Sequence, residues 1–337
     1  MAKYRIDIIE NPNEIVKYLH IGINIPIWPE LHEYILSDLQ YFKAKSLLLK
    51  EDRNILGHVL VYSVDTETLY FGYFGVYNHN RDTIESLLKE LINYMKINDY
   101  NKIRGPINIP AVIFGYGFMV EGSKESLFIA KPVNPSIYQK SFLDKGFSIV
   151  NEIVTWAANP MVRFNPWKSK DYDFTDYEFV YPENVDDFNE NYKEPLLLMH
   201  QKNLPPTALI TPNVVDVIDN YIQFIFDYGY NFMIFFIKHK PTNKFVASGV
   251  YLPNPFRKNK KGIFDSTYVF TWVVESEYRR KGIAFLMYGA ISLLLWEKKV
   301  RFGSGMISSY NKANTELAIK KLAGVMTRKH ILVEYNI

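Results

Sequence analysis

Residues 268–298 read YVFTWVVESEYRRKGIAFLMYGAISLLLWEK, and the fold turns on how this stretch is read. Residues 268–274 are β-branched and aromatic, the composition of a strand. Residues 283–296 are almost wholly apolar, hold no proline and are too long for a typical strand, so they predict a buried helix. Between them stand Arg279, Arg280, Lys281 and Gly282. A glycine at a helix start lets the backbone come close to a ligand. The first N–H groups of a helix have no partner in it, and its dipole favours an anion there. With three cations directly before the glycine, the stretch reads as a phosphate or pyrophosphate cradle. The competing reading is a basic turn capping a core helix.

Working outward, 337 residues predict two domains of ordinary size. An apolar share of 48% against 22% charged residues predicts a folded chain rather than a disordered one. The net charge of +3 argues against a general nucleic-acid binder. With no cysteine, disulfides, thiolate chemistry and zinc–thiolate sites are excluded, which is compatible with a cytoplasmic location. The N-terminus lacks the apolar core of a signal peptide, and the 283–296 run falls short of a membrane span. The 7 histidines are scattered, and no metalloprotease, serine-hydrolase, Walker or EF-hand pattern occurs, so no metal site is expected.

The first half predicts a strand over 4–9, two short helices ending near 20 and 41, and strands over 46–50, 57–64 and 69–76. A helix over 81–97 follows, with Ile84, Leu87, Leu88, Leu91, Ile92 and Met95 on one stripe. Then come a strand over 102–107, a helix over 135–145 stopped by Gly146, and a strand over 147–157. Residues 159–175 carry prolines and no periodicity, the mark of a linker or crossover. The second half repeats the order. It has a strand over 177–181, helices to about 201 and over 212–228, and strands over 232–238, 245–252 and 268–274. The helix over 283–296, a strand over 302–308, a helix over 313–322 and a strand near 330–335 complete it. The basic loop 257–262 reads chiefly as a solvated turn, and secondarily as a contact to a phosphate.

Arg279-x-x-Gly282-x-Ala284 resembles the [Q/R]-x-x-G-x-[G/A] signature of the GNAT superfamily of acyl-CoA-dependent N-acyltransferases. The strand, basic turn and helix around it are the setting that signature requires. The order of elements in both halves is also similar to that fold. The resemblance implies an α/β protein of two tandem GNAT-like domains, each a mostly antiparallel mixed sheet flanked by helices. Residues 1–160 form the first, 161–176 the linker and 177–337 the second. The equivalent loop of the first half, residues 77–83, has no glycine. Asn80 or Asp82 would cap the helix and fill the anion site, so the first half is expected not to bind CoA. The segment GPINIPAVIFGYGFMVEG (105–122) and the later Lys131-Pro-Val-Asn-Pro135 resemble a family of tandem GNAT-like proteins. The 105–122 segment reads either as a functional loop or as packing at the domain junction.

The resemblance further implies acetyl-CoA or another acyl-CoA as co-substrate and a small-molecule or peptide amine as acceptor. Nucleic acid and membrane are not expected as partners. The oligomeric state is open. Backbone N–H groups from Arg280 to Ala284, Ile283 among them, would grip the pyrophosphate, with Arg279 and Lys281 adding charge. Val273 and Val274 would align the pantetheine, and a backbone N–H near Val274 would polarise the thioester. Glu275 is the candidate base, or else a solvent-facing loop carboxylate. The family's helix tyrosine is missing from residues 314–324, so Tyr310 is the candidate acid. Asn314 is the candidate CoA contact, or else a helix cap. Together these imply an N-acyltransferase whose second half binds CoA and whose first half shapes the acceptor site. The alternatives are a non-catalytic acyl-CoA-binding or regulatory protein, and a Fem-type peptidyl transferase, whose basic surface and coiled-coil arm are lacking.

Overall fold

The computed structural model describes residues 4–22, 26–122, 128–157, 164–203, 214–256, 258, 260, 264–308, 316 and 325–337. In chain order the strands are β1 (Arg5–Ile9), β2 (Lys45–Glu51), β3 (Asn54–Tyr62), β4 (Thr68–Val76), β5 (Lys102–Gly105), β6 (Phe118–Gly122), β7 (Ser148–Ala157), β8 (Tyr177–Val180), β9 (Ile234–His239), β10 (Lys244–Pro253), β11 (Ser266–Val274), β12 (Arg301–Ser308) and β13 (Val325–Asn336). The helices that matter below are α1 (Arg81–Ile97), α2 (Ala111–Phe114), α3 (Lys193–Asn203), α4 (Val214–Tyr228) and α5 (Ile283–Glu297).

The chain divides into two compact units. The first comprises Met1–Val154, Ser308–Tyr310 and Thr327–Ile337, and the second Thr155–Ile307 and Asn311–Met326. In the first, β1 to β4 form an antiparallel meander and β5 joins parallel to β4, with Thr68 opposite Lys102. The parallel step needs a crossover, and α1 supplies it. The stripe expected from its sequence is the face it buries: Ile84, Leu87, Leu88, Leu91 and Met95 lie in one core with Val59, Val61, Leu69 and Phe71.

The last strand departs from the expected boundary. The sequence reading assigns all of 177–337 to the second domain, but Thr327–Ile337 clusters with the first unit. There β13 lies antiparallel to β5, with Val333 opposite Gly105 and Asn336 opposite Lys102. Its alternation places Ile331 and Val333 in the first unit's core. Arg104 Nε donates to Glu334 Oε2 at 2.7 Å across the same pair. Composition identifies 330–335 as a strand, but nothing local names its partner.

The 105–122 segment is not a surface loop. It holds α2 and β6, and Ile107, Ile109, Val112, Ile113 and Phe114 are all buried. The burial shows that the segment packs within the first unit.

The second unit repeats the strand order. β8, β9, β10 and β11 are antiparallel neighbours and β12 joins parallel to β11, with Ser266 opposite Arg301. The helix α5 makes the crossover. Its buried face includes Leu286, Met287, Tyr288, Ile291 and Leu295.

Candidate functional site

The site begins where β11 loses a neighbour. On one edge β11 pairs with β10 along its length, from Thr267 opposite Pro253 to Val274 opposite Ala247. On the other edge its ladder with β12 runs only from Ser266 to Val269, which lies opposite Gly305. Beyond that point β11 continues to Val274 with no paired strand on this side among the described residues. The Glu275 N–H donates to Val246 O at 2.9 Å, toward β10. Successive residues of a strand alternate edges, so the N–H of Val273 also faces β10 and that of Val274 faces the opened edge.

The helix that follows starts without a side-chain cap. Arg280 (φ 63°) and Gly282 (φ 79°) both take the left-handed conformation, and Gly282 is the N-cap of α5. The first helical bond is Leu286 N–H to Gly282 O at 3.0 Å, which leaves the N–H groups of Ile283, Ala284 and Phe285 ahead of the ladder. These groups and the helix dipole suit an anion. A Cβ on Gly282 would lie 2.6 Å from the Tyr172 ring, so the glycine also admits this aromatic neighbour.

The charged residues divide by what they touch. Arg279 turns back: its Nε donates to Val274 O and its Nη2 to Asn203 Oδ1, each at 3.0 Å. It therefore braces the turn rather than standing open to an anion. Arg280 is exposed and has no hydrogen-bond or ion-pair partner among the described residues. Lys281 Nζ lies 5.1 Å from the centre of the Tyr278 ring. Glu275 accepts from Lys202 Nζ at 2.7 Å through Oε2 and from Asn203 Nδ2 at 3.2 Å through Oε1. The Glu275 hydrogen bond raises the pKa of Lys202. The solvent-facing loop carboxylate of one reading is therefore not what Glu275 is, since both of its oxygens are engaged. It joins α3 to the end of β11 in a clamp. Tyr310 and Asn314 lie outside the described residues.

Sequence reasoning missed the residues that α3 contributes. Lys202 and Asn203 complete the clamp. His200, fully buried, shares a 3.0 Å hydrogen bond between its Nε2 and Ser248 Oγ, while its Nδ1 has no partner among the described residues. Ser248 is the register partner of Val273. Burial pushes the His200 pKa down to about 3, so the ring is neutral. On the sequence His200 was one more position of a helix, and only the pairing of β10 with β11 brings it to this place. Among the described residues no group of three or more His, Cys, Asp or Glu is placed to hold a metal ion.

The matching place in the first unit is built from the same parts and filled. The β4–β5 ladder ends at Tyr70 opposite Arg104. Beyond it the chain's own segment enters the gap: Ile107 N–H donates to Phe71 O at 2.6 Å, and Asn108 Oδ1 accepts the Tyr73 N–H at 2.7 Å. A Cβ on Gly72 would lie 2.2 Å from Ile107 O, so only glycine permits so close an approach. The helix start is filled as well, because Asn80 Oδ1 caps α1 by accepting the Asp82 N–H at 2.8 Å.

No family model and no curated protein matches the chain. Solved structures do. It resembles a GCN5-related glucosamine N-acetyltransferase region in a fungal multi-domain GH3 β-N-acetylglucosaminidase at TM-score 0.67 and 15% identity, covering 99% of this chain and 38% of that one. A tandem GNAT protein from the clavulanic acid biosynthesis pathway matches at TM-score 0.62 and 10% identity, over 98% of each chain. A GCN5-related N-acetyltransferase from Sphaerobacter thermophilus matches at TM-score 0.61 and 8% identity, over 100% of this chain and 96% of that one. At such identities the likeness is one of fold, and the fold of this α/β chain is that of a tandem GNAT protein.

Proposed function

We propose that the chain is an acyl-CoA-dependent N-acyltransferase whose second unit binds the acyl-CoA, with acetyl-CoA the simplest donor and a small-molecule or peptide amine the acceptor. One observation carries the reading. The edge of β11 opens after Val269 and leads to an uncapped helix start at Gly282, whereas the matching edge and helix start of the first unit are filled by Asn108 and Asn80.

In this reading the N–H groups of Ile283, Ala284 and Phe285 take the pyrophosphate, and Arg280 and Lys281 add charge. Arg279 holds the turn in shape through Val274 O. Val273 and Val274 align the pantetheine along the open edge. The Val274 N–H is aimed where the thioester oxygen becomes negative in the tetrahedral intermediate, a place where one such donor is worth about 10²–10³ in rate. The amine attacks the carbonyl carbon, the C–N bond forms, and the C–S bond breaks. The amine proton passes to Glu275, directly or through water, once the carboxylate leaves Lys202. Tyr310 is the proposed donor to the departing thiolate, and Asn314 a proposed contact to CoA.

Calorimetric titration of acetyl-CoA into the protein, beside the Arg280→Glu and Gly282→Glu variants, tests the binding half of the reading. One site per chain is expected, weakened in both variants. Arg280 is exposed and has no partner among the described residues, so its variant separates ligand contact from folding. Undiminished affinity in both variants would sink the assignment. A second reading, acyl-CoA binding without transfer, is favoured by the engagement of both Glu275 oxygens. Thiol release from acetyl-CoA in the presence of any amine would exclude it.

A further inference from the structure

Residues 164–175 were expected to be part of a linker or crossover, yet they pack as an aromatic strap on α5. Phe164 stacks on Phe285 with ring centres 4.1 Å apart, and the Pro166 ring lies 2.7 Å from where a Gly289 Cβ would be. Phe174 is buried, stacked 5.7 Å from Tyr172 and edge-on to Trp167. Beside this strap runs a groove of about 570 Å³, lined chiefly by Trp167, Lys170, Tyr172, Phe174, Tyr177 and Lys240. Its two outer rings are strongly exposed, Trp167 at 44% and Tyr172 at 42%. Tyr172 is the shared wall: one part of its ring abuts Gly282 and its remainder faces the groove.

We propose that this groove receives the 3′-phosphoadenosine end of the acyl-CoA. The inference rests on the reading of the α5 N-terminus as a pyrophosphate site. The nucleotide is joined directly to the pyrophosphate, so its site must adjoin Gly282, and this groove does so through Tyr172. A purine offers a flat π face to exposed aromatic rings, and such stacking needs no matching hydrogen bonds. Lys170 and Lys240, both exposed, supply point charges suited to the 3′-phosphate. Of the two acids at the groove, Asp173 is already engaged by the Thr175 N–H and hydroxyl, which keep its pKa lowered. Asp171 is the acid left to face the base, where a carboxylate accepts from an exocyclic amino group.

The test is calorimetry on the full chain with acetyl-CoA, 3′-dephospho-acetyl-CoA and acetyl-phosphopantetheine, which lacks the nucleoside. The variants are Trp167→Ala, Trp167→Phe and Lys170→Ala/Lys240→Ala. In the unmodified protein the 3′-phosphate is expected to improve affinity by about tenfold, the scale of a charge-assisted contact. The double lysine variant should bind the two CoA forms alike. Trp167→Ala should weaken both CoA forms and leave acetyl-phosphopantetheine unchanged, and Trp167→Phe should restore binding. If acetyl-CoA binds and Arg280→Glu weakens it, yet the strap variants alter neither affinity nor phosphate preference, this inference is overturned and the cofactor reading stands. Absence of acetyl-CoA binding to the unmodified protein overturns both.

Discussion

Asn108, which fills the gap beside β4, and Glu275, which follows the end of β11, each carry a prediction. Asn108 is buried, accepts the Tyr73 N–H and donates to Phe114 O at 3.2 Å. Asn108→Ala strands the buried Tyr73 N–H away from water, so a loss of about 1–3 kcal/mol is expected from urea midpoints, with acetyl-CoA affinity unchanged. Glu275 is held by a lysine that is itself largely exposed, a pairing worth under about 1 kcal/mol. Glu275→Gln should therefore fold normally and bind acetyl-CoA as before. As the proposed proton acceptor, its loss should slow transfer by about 10²–10⁴ in single-turnover measurements. A slowing below tenfold would make it a clamp alone. The sequence offered Glu275 because it ends a strand beside the cradle. It could not offer Lys202 or Asn203, which lie some seventy positions earlier and reach Glu275 only through tertiary structure.

At the scale of elements, what was legible had a period or a telling length. The stripe on α1 announces itself because a helix with one buried face repeats its apolar residues every third or fourth position, and α5 because its apolar run is too long for a strand, although its Trp296 ends up exposed. The 105–122 segment has no such period, and its place depends on Gly72 admitting Ile107 O, a contact no local pattern encodes. The strap was illegible for a related reason: prolines and charges read as a linker, while the rings that pack on α5 are spaced irregularly. The strand β13 was legible as a strand and not as a partner of β5. Removing Thr327–Ile337 takes Ile331 and Val333 from the first unit's core and bares the edge of β5. The truncated chain is expected to aggregate or to lose the first unit's unfolding transition while keeping the second's. Retention of both transitions in differential scanning calorimetry would show that β13 is dispensable.

For the molecule as a whole, three buried histidines set an acid limit. His58 donates from Nδ1 to Tyr73 O and accepts from Ser46 through Nε2, and burial pushes its pKa down to about 4. His200 is pushed down to about 3 and His330 to about 4, again mainly by burial. A base whose folded pKa lies below its unfolded value contributes full stability above the unfolded pKa, near 6.5. It loses that stability as pH falls toward the folded value, because the unfolded chain takes the proton first. Each histidine should lower stability by about 1.4 kcal/mol per pH unit across that window. Denaturant midpoints at pH 7, 6 and 5 check this, and a flat profile would contradict it. The placement of β13 bears also on how the chain is made. A polypeptide leaves the ribosome N-terminus first, and domains generally fold in that order. Here the sheet begun by Arg5–Ile9 lacks a strand until Thr327–Ile337 has been translated. Of the two units, the one translated first is therefore the one that nascent-chain quality control must shelter longest, and losing residues after Met326 would damage a fold begun some three hundred residues earlier.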